Sequence, residues 1–263
     1  MRQNSLRRLL EAGAPTLGTH ILLPSPTVIE IVGHTGVFDY VEFVGEYAPY
    51  DLPILEDLCR AAELHDLGTM IKVDFENHRF VAQRAVGAGF ESVLFADARS
   101  PDDVADCVRC LQPDTPRDGG LFGVGMRRHA LPHYGGTREY AQGLRDVVVS
   151  IMLEKKTTVE RLDEVLEIPG IDMFQWGPAD YAMSIDRPGA RDDEDVRALE
   201  RHVIARCLTA GIRPRAEIDT VEQAKYYCDL GVRDFCLGYD LMIIHDVLKA
   251  EGEKVRSTIL DEA

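Results

Sequence analysis

Short apolar runs recur along the chain, and polar segments separate them. Most runs are rich in β-branched or aromatic residues, and each has the length of a buried strand. We therefore predict eight strands, of which the seventh has the weakest apolar pattern: 19–23, 39–44, 69–73, 92–96, 147–153, 172–176, 213–218 and 234–238.

The segments between most of these strands carry helical patterns. Residues 53–66 repeat apolar positions at helical spacing, and the patterns at 78–89 and 221–232 have a glycine at or near their ends, a common helix stop. Strands alternating with helices indicate a parallel sheet, and eight such units in about 250 residues are typical of a (β/α)8 TIM barrel. A doubly wound open sheet is the alternative, but residues 24–33 supply no glycine-rich phosphate loop.

We predict a single domain over residues 1–263, because no internal repeat or low-complexity linker interrupts the pattern. The connection at about 97–146 is longer than the others and is rich in glycine, arginine and histidine near its end. Loops of that length commonly cover an active site or an interface. The apolar C-terminal stretch at 241–248 either packs on a neighbouring subunit or closes the barrel.

Charge and cysteine content narrow the class of protein. A formal net charge of -16 disfavours nucleic acids and anionic membranes as partners, and no stretch approaches the roughly 20 apolar residues that span a bilayer. The N-terminus has the leucine spacing of a short amphipathic helix and no signal-peptide core. Six scattered cysteines indicate reduced thiols in a cytoplasmic protein. The C-x-x-C at Cys107 and Cys110 lacks the second ligand pair of a zinc site.

Two carboxylates follow consecutive predicted strands. Glu154 comes directly after 147–153, and Asp180 follows 172–176 through a Gly-Pro-Ala turn. In a barrel the chemistry lies at the carboxyl ends of the strands, so these side chains should converge. Two convergent carboxylates need a proton or a cation between them, and oxygen ligands with open positions suit Mg2+ or Mn2+. The alternative is that Asp180 caps a helix and Glu154 lies on the surface.

Three motifs and Glu154 carry a family resemblance, namely VGEYAPYD (44–51), GVGMRR (123–128) and GIDMFQWGPADYAMSI (170–185). Over about residues 15–245 the chain resembles the HpcH/HpaI aldolases, which are metal-dependent (class II) pyruvate aldolases on a (β/α)8 barrel. The resemblance implies that Glu154 and Asp180 bind a divalent cation, Mg2+ or Mn2+ or else Co2+. The cation would chelate a 2-oxo acid and stabilise its enolate as a Lewis acid, with an aldehyde as the other reactant. Family members assemble as trimers paired into hexamers, so a homo-oligomer is implied.

The chain departs from the family at three polar positions. After the second strand the family has Asp-Gly-Glu-His, where this chain has Val-Gly-Glu-Tyr at 44–47. The family has an arginine where this chain has Lys72, and commonly a glutamine where this chain has Met152. Tyrosine, with an unperturbed pKa of about 10, is a poor base near neutral pH, and lysine lacks the bidentate fork of arginine. We predict the following roles: catalysis by Lys72, Tyr47 and His129, substrate contacts from Glu46, Gly177, Pro178 and Ala179, and metal binding by Glu154 and Asp180.

Several functions remain open from the sequence. The first is an aldolase that cleaves or forms a 4-hydroxy-2-oxo acid, with a proton shuttle rebuilt from Tyr47, Lys72, His129 or His133. The second is a decarboxylase of an oxaloacetate-type acid, which needs the Lewis acid but no base for an aldol hydroxyl. The third is a binder of a metal or keto acid without turnover. A Schiff base on Lys72 is an alternative to the metal mechanism.

Overall fold

The computed structural model describes residues 3–125 and 133–261. Within them, eight parallel strands close into a barrel in the order β1 to β8. The strands are β1 (Thr16–Ile21), β2 (Tyr40–Val44), β3 (Gly68–Val73), β4 (Ser92–Phe95), β5 (Val148–Leu153), β6 (Met173–Trp176), β7 (Arg213–Ile218) and β8 (Asp234–Tyr239). The predicted (β/α)8 fold is confirmed. The first strand begins three residues earlier than predicted, because its ladder with β8 starts at Thr16 and Asp234.

Helices connect the strands. They are α1 (Ser5–Glu11), α2 (Pro26–Thr35), α3 (Leu52–Glu63), α4 (His78–Ala88), α5 (Pro101–Leu111), α6 (Arg138–Arg145), α7 (Lys156–Val159), α8 (Leu162–Leu166), α9 (Pro178–Ser184), α10 (Glu194–Thr209), α11 (Val221–Asp229) and α12 (Asp240–Asp261). Local chemistry sets several of their starts. The Asp51 carboxylate accepts the Ile54 N–H at 3.1 Å before α3, and Thr220 and Gln223 form a capping box before α11.

Side chains of each strand alternate between two apolar layers. In β5, Val149 and Ile151 belong to the large core between the strands and the helices. Val148 and Met152 belong instead to a smaller cluster with Tyr40. Because successive side chains of a strand point to opposite faces, this smaller cluster fills the inside of the barrel. The inward positions nearer the carboxyl ends of the strands are polar, and they form the site.

The N-terminal helix closes the amino end of the barrel. Leu6 is 1% exposed and packs on the inner cluster. The Asn4 side chain donates to the carbonyl oxygens of Glu91 and Asp146 at 2.6 and 2.8 Å, which precede β4 and β5. These contacts leave the opposite end of the barrel as the open one.

The C-terminal helix α12 begins against β1 and β8, where Ile243 packs beside Gly238. The Asp240 carboxylate accepts the N–H groups of Leu22 and Leu23 at 3.0 and 2.9 Å, which fixes the start of the helix. Its apolar side chains are then exposed, with Leu248 at 69%. The stretch 241–248 therefore does not close the barrel. Among the residues described, no helix has the length and apolarity to cross a membrane.

Cys107 and Cys110 lie buried in α5, where burial raises the pKa of both thiols, that of Cys110 to about 12. Within the described parts of the chain, which include all six cysteines, no disulfide forms.

Candidate active site

Glu154 is buried at the carboxyl end of β5, with 2% of the residue exposed. Its Oε1 accepts the backbone N–H of Asp97 at 2.7 Å, which fixes the orientation of the carboxyl group. Burial raises the pKa of Glu154 to about 7, the positive charge of Lys72 opposes that rise, and the Asp180 carboxylate adds to it. The surface alternative for Glu154 is wrong, and the two carboxyl groups are close enough for their charges to interact.

Lys155 links the carboxylates around Glu154. Its Nζ lies 2.5 Å from Asp97 Oδ1 and 3.0 Å from Asp180 Oδ1, and the residue is 8% exposed. Asp97 holds a left-handed backbone, with φ of 62°, directly after β4. No role for Lys155 was predicted from the sequence, although its position next to Glu154 is the signal that could have found it.

Gly177 lies against Glu154 where β6 turns into α9. A Cβ at this position would lie 2.7 Å from both Cβ and Oε2 of Glu154 and 3.0 Å from Cε of Met152. Only a glycine fits without moving the carboxylate. Pro178 begins α9, and Asp180 lies in its first turn. The N-cap position is Gly177, so Asp180 lies inside the helix and not at its cap; its carboxylate contacts Lys155, and the capping alternative is wrong.

A cation and a phenol lie at the neighbouring strand ends. Lys72 is 7% exposed inside β3, its Nζ is 2.7 Å from Glu46 Oε2 and 5.1 Å from the ring centre of Tyr47. Burial alone would lower the pKa of Lys72, but the Glu46 charge and Tyr47 raise it above its ordinary value. Burial raises the pKa of Tyr47 to about 12, with the charges of Glu46 and Asp180 adding to the rise.

The structure therefore brings together most of the residues predicted for the site. Lys72, Glu46, Tyr47, Glu154 and Asp180 interact through contacts or charge at one end of the barrel. Pro178 and Ala179 lie next to Asp180 in α9. His129 lies outside the described residues, and His133 is exposed at a turn with φ of 66°. The roles assigned to these side chains stay predictions.

The wall formed by β7 and β8 carries polar groups to which the sequence analysis gave no firm role. Arg215 is 3% exposed; it pairs with Glu42 and donates to the Tyr40 hydroxyl at 2.7 Å. The Glu217 carboxylate accepts from Gln175 Nε2 at 2.5 Å. Their signal was the alternation in RPRAEI, which places Arg213, Arg215 and Glu217 on one face of the strand.

Glu217 lies at the inner edge of a cavity of about 230 Å³ whose lining includes Trp176, Gln223 and Tyr239. Burial would raise the pKa of Glu217, but the hydrogen bond and charge of His20 together with Arg215 lower it to about 2. The carboxylate is therefore ionised at neutral pH. Asp219 also lines this cavity; it is exposed, and its N–H donates to Gln223 Oε1 at 2.6 Å.

The carboxylate pair fits a divalent cation. Glu154 and Asp180 supply two oxygen donors of the kind that Mg2+ and Mn2+ prefer. Glu154 is buried, and burial raises its pKa to about 7, so a cation held by these two residues would stabilise its charged form.

Fold and site together define an enzyme of the (β/α)8 barrel class. The buried Glu154, the acid Asp180 and the ammonium group of Lys72 lie at the carboxyl ends of the strands, where such enzymes carry out their chemistry. The chain belongs to the HpcH/HpaI aldolase/citrate lyase family, whose model matches residues 17–242. It is accordingly a lyase of the aldolase type. The resemblance seen in the sequence is confirmed.

Relatives and solved structures agree with this placement. The hydroxypyruvate/pyruvate aldolase of Paraburkholderia phytofirmans is 27% identical over 261 residues, covering 97% of this chain and 98% of the relative. The 4-hydroxy-2-oxo-heptane-1,7-dioate aldolase of Escherichia coli is 23% identical and covers 92% and 91%. A crystal structure of a family protein from Burkholderia cenocepacia is 27% identical with a TM-score of 0.85, covering 96% of this chain and 99% of that one.

Proposed function

We propose that this protein is a metal-dependent aldolase that cleaves or forms a 4-hydroxy-2-oxo acid through a pyruvate-type enolate. The observation that carries the proposal is the buried Glu154, which interacts by charge with both Asp180 and Lys72. The names of the relatives, a hydroxypyruvate/pyruvate aldolase and a 4-hydroxy-2-oxo acid aldolase, support this substrate class. The donors favour Mg2+ or Mn2+, with Co2+ as a further candidate.

Glu154 and Asp180 would hold the cation, which supplies Lewis-acid stabilisation of the enolate oxygen. Gly177 leaves the room in which the Glu154 carboxylate keeps its orientation. Lys72 places a fixed positive charge on the same cavity, where it would attract the carboxylate or enolate oxygen of a 2-oxo acid.

The state of Lys72 argues against a Schiff base. A nucleophilic lysine needs a neutral amine, which is favoured when burial lowers its pKa. Here the pairing with Glu46 outweighs burial and raises the pKa of Lys72. The ammonium form therefore persists at neutral pH, as the electrostatic role requires.

Tyr47 also keeps its proton at neutral pH, because its pKa is raised to about 12. In the cleavage direction it would serve as a hydrogen-bond donor to the aldehyde oxygen rather than as a free base. This observation supports a second candidate function, the decarboxylation of an oxaloacetate-type acid, which needs no base for an aldol hydroxyl.

An assay with Mg2+, Mn2+ or Co2+ tests the proposal by comparing a panel of 4-hydroxy-2-oxo acids with oxaloacetate. We expect pyruvate release from a hydroxy acid that is lost in Glu154→Gln and in Asp180→Asn. Glu160→Gln changes an exposed carboxylate six residues after Glu154. It is the matched control and should keep full activity. Activity on oxaloacetate alone supports the decarboxylase. Metal-independent turnover with borohydride trapping of pyruvate on Lys72 would refute the metal mechanism.

We further propose a homo-oligomer. The apolar side chains of α12 support it, since Met242, Val247 and Leu248 are 55%, 58% and 69% exposed on the isolated chain. A row of large exposed apolar residues marks an interaction surface, and a neighbouring subunit would cover it.

A further inference from the structure

Four side chains with metal-binding atoms meet inside the barrel, on the wall opposite Glu154. His20 comes from β1, Glu42 from β2, Glu217 from β7 and Cys236 from β8. One ligand atom each from His20, Glu42 and Cys236 lies within 4.8 Å of the other two. Glu217 Oε1 lies 3.2 Å from Nε2 of His20. The cluster contains nitrogen, sulfur and oxygen donors from four strands.

Oε1 of Glu42 is buried without a hydrogen bond among the described residues, and Glu42 is 0% exposed. Its other oxygen, Oε2, pairs with Arg215. His20 is 1% exposed; its Nδ1 lies 2.8 Å from the Gly238 carbonyl, and its Nε2 faces Glu217 Oε1 at 3.2 Å and Glu42 Oε1 at 3.5 Å. Because a buried polar atom without a partner is costly, this oxygen of Glu42 calls for a ligand.

We propose that His20, Glu42 and Cys236 form a zinc site that is separate from the Glu154–Asp180 pair, with Glu217 beside the imidazole at its edge. A thiolate, an imidazole and carboxylate oxygens are the donors that Zn2+ takes in proteins. The two sites differ in chemistry, because the Glu154–Asp180 pair offers oxygen alone and suits a harder cation. This inference does not depend on the proposed aldolase reaction.

The spacing between His20 and Glu42 agrees with a tetrahedral ion, and the Cys236 sulfur lies within 4.8 Å of both ligand atoms. Bonds of about 2.0–2.3 Å to zinc separate neighbouring ligand atoms by roughly 3.3–3.7 Å. Nε2 of His20 lies 3.5 Å from Glu42 Oε1 and 3.2 Å from Glu217 Oε1. The imidazole is also oriented as a metal ligand usually is, with its other nitrogen bonded to a backbone carbonyl.

A metal ion would join this cluster more completely than a proton does. A proton on Nε2 of His20 can be donated to one carboxylate at a time, whereas a metal ion would contact the imidazole, the Glu42 carboxylate and the Cys236 sulfur together. With a neutral imidazole and a thiolate, the charges of zinc and Arg215 balance those of Cys236, Glu42 and Glu217.

Neighbouring groups support the proposed ligands. Glu217 lies beside the His20 imidazole at 3.2 Å and is itself held by Gln175 Nε2 at 2.5 Å, and Arg215 holds the far oxygen of Glu42. The ring of Tyr239 stacks on His20 at 4.3 Å between centroids. Such contacts orient metal ligands and strengthen their binding.

Cobalt substitution tests the site through its sulfur ligand. The full chain is freed of metal with a chelator and titrated with Co2+ while its absorption spectrum is recorded. We expect a thiolate-to-cobalt charge-transfer band in the near ultraviolet and the strong visible bands of a tetrahedral ion. The bands should remain in the Glu154→Gln/Asp180→Asn double variant and vanish in Cys236→Ser. Cys207→Ser is the matched control, because Cys207 is equally buried but lies in α10; it should keep the bands.

X-ray absorption of the zinc-loaded double variant provides a measurement that needs no change at Cys236. It should show one sulfur neighbour at about 2.3 Å with nitrogen and oxygen neighbours. A folded wild-type chain without the charge-transfer band overturns the proposal. So do bands that survive in folded Cys236→Ser, and a zinc shell that contains oxygen and nitrogen alone. Loss of aldolase activity does not enter either readout, so the two proposals fail separately.

Discussion

Replacing Gly177 by alanine should disable the site while leaving the barrel folded. The new Cβ would lie 2.7 Å from Cβ and Oε2 of Glu154, whereas carbon atoms pack at about 3.5–4.0 Å. One of the two groups must therefore move by roughly 1 Å. Glu154 is held by the Asp97 N–H at 2.7 Å, so moving its carboxylate breaks that hydrogen bond. Moving Gly177 instead displaces the first turn of α9, which carries Asp180.

Either response misaligns the carboxylate pair. A displacement of about 1 Å at a catalytic group can lower the rate roughly 10²-fold, and we expect at least that loss in kcat/KM. Overpacking should also cost about 1–3 kcal/mol of stability. For a chain of this size each kcal/mol lowers Tm by roughly 2–4 °C, so a fall of a few degrees is expected and the fold should survive at 25 °C.

The measurement combines pyruvate-forming kinetics with the best metal and a thermal melt of both proteins. Gly252→Ala is the control, because a Cβ there meets nothing within 4 Å and alanine is favoured over glycine in a helix such as α12. It should keep the activity and should not lower Tm. A folded Gly177→Ala protein with the wild-type kcat/KM and metal affinity would refute the argument that this glycine protects the orientation of Glu154.

Four other predictions concern the same site and the assembly. Glu154→Gln and Asp180→Asn should each weaken the binding of Mg2+ or Mn2+, measured by calorimetry. The loss should exceed roughly 10–100-fold, which is the usual effect of removing a residue that only supports a metal ligand. Unchanged binding would show that the two residues are not ligands. Metal affinity should fall as pH drops below about 7, because the metal-free Glu154 takes up a proton there and the proton competes with the cation; a flat profile from pH 5 to 8 would contradict the raised pKa. Tyr47→Phe should slow aldol addition by roughly 10²–10⁴ if the phenol protonates the aldehyde oxygen, and an unchanged rate would leave Tyr47 as a wall of the pocket. Sedimentation should show a trimer or hexamer, and a species of monomer mass alone would be inconsistent with the role given to α12.

The order of the strands and the family followed from the pattern of residues. Most strands are buried on both faces, so each appears in the sequence as a short apolar run. The helices between them have the usual residues at their starts and ends. Glu154 and Asp180 were found for the same reason, since each lies at a defined distance after a buried strand. Because the carboxyl ends of all barrel strands lie at the same end of the fold, the order of the strands was enough to predict that the two carboxylates lie near each other.

The neighbours of those carboxylates depended on tertiary structure. Lys155 looked like part of a charged surface segment, and its contacts with Asp97 and Asp180 come from elements 58 and 25 residues away in the chain. The state of Lys72 likewise depends on Glu46 lying 2.7 Å from its Nζ. Without that partner, a buried lysine would lose its proton more easily, and the sequence left both mechanisms open.

The polar side chains of β7 inside the barrel show most clearly what the sequence could not predict. The segment RPRAEI gave the weakest strand pattern, because three of its side chains are charged and point into the barrel rather than into the apolar core. Arg215 and Glu217 are stable there because Glu42, Gln175 and His20 come from other strands to meet them. Apolar burial is a property of single segments and can be read along the chain. A buried polar cluster depends on barrel closure, which places β1 beside β8, and only the tertiary structure brings those groups together.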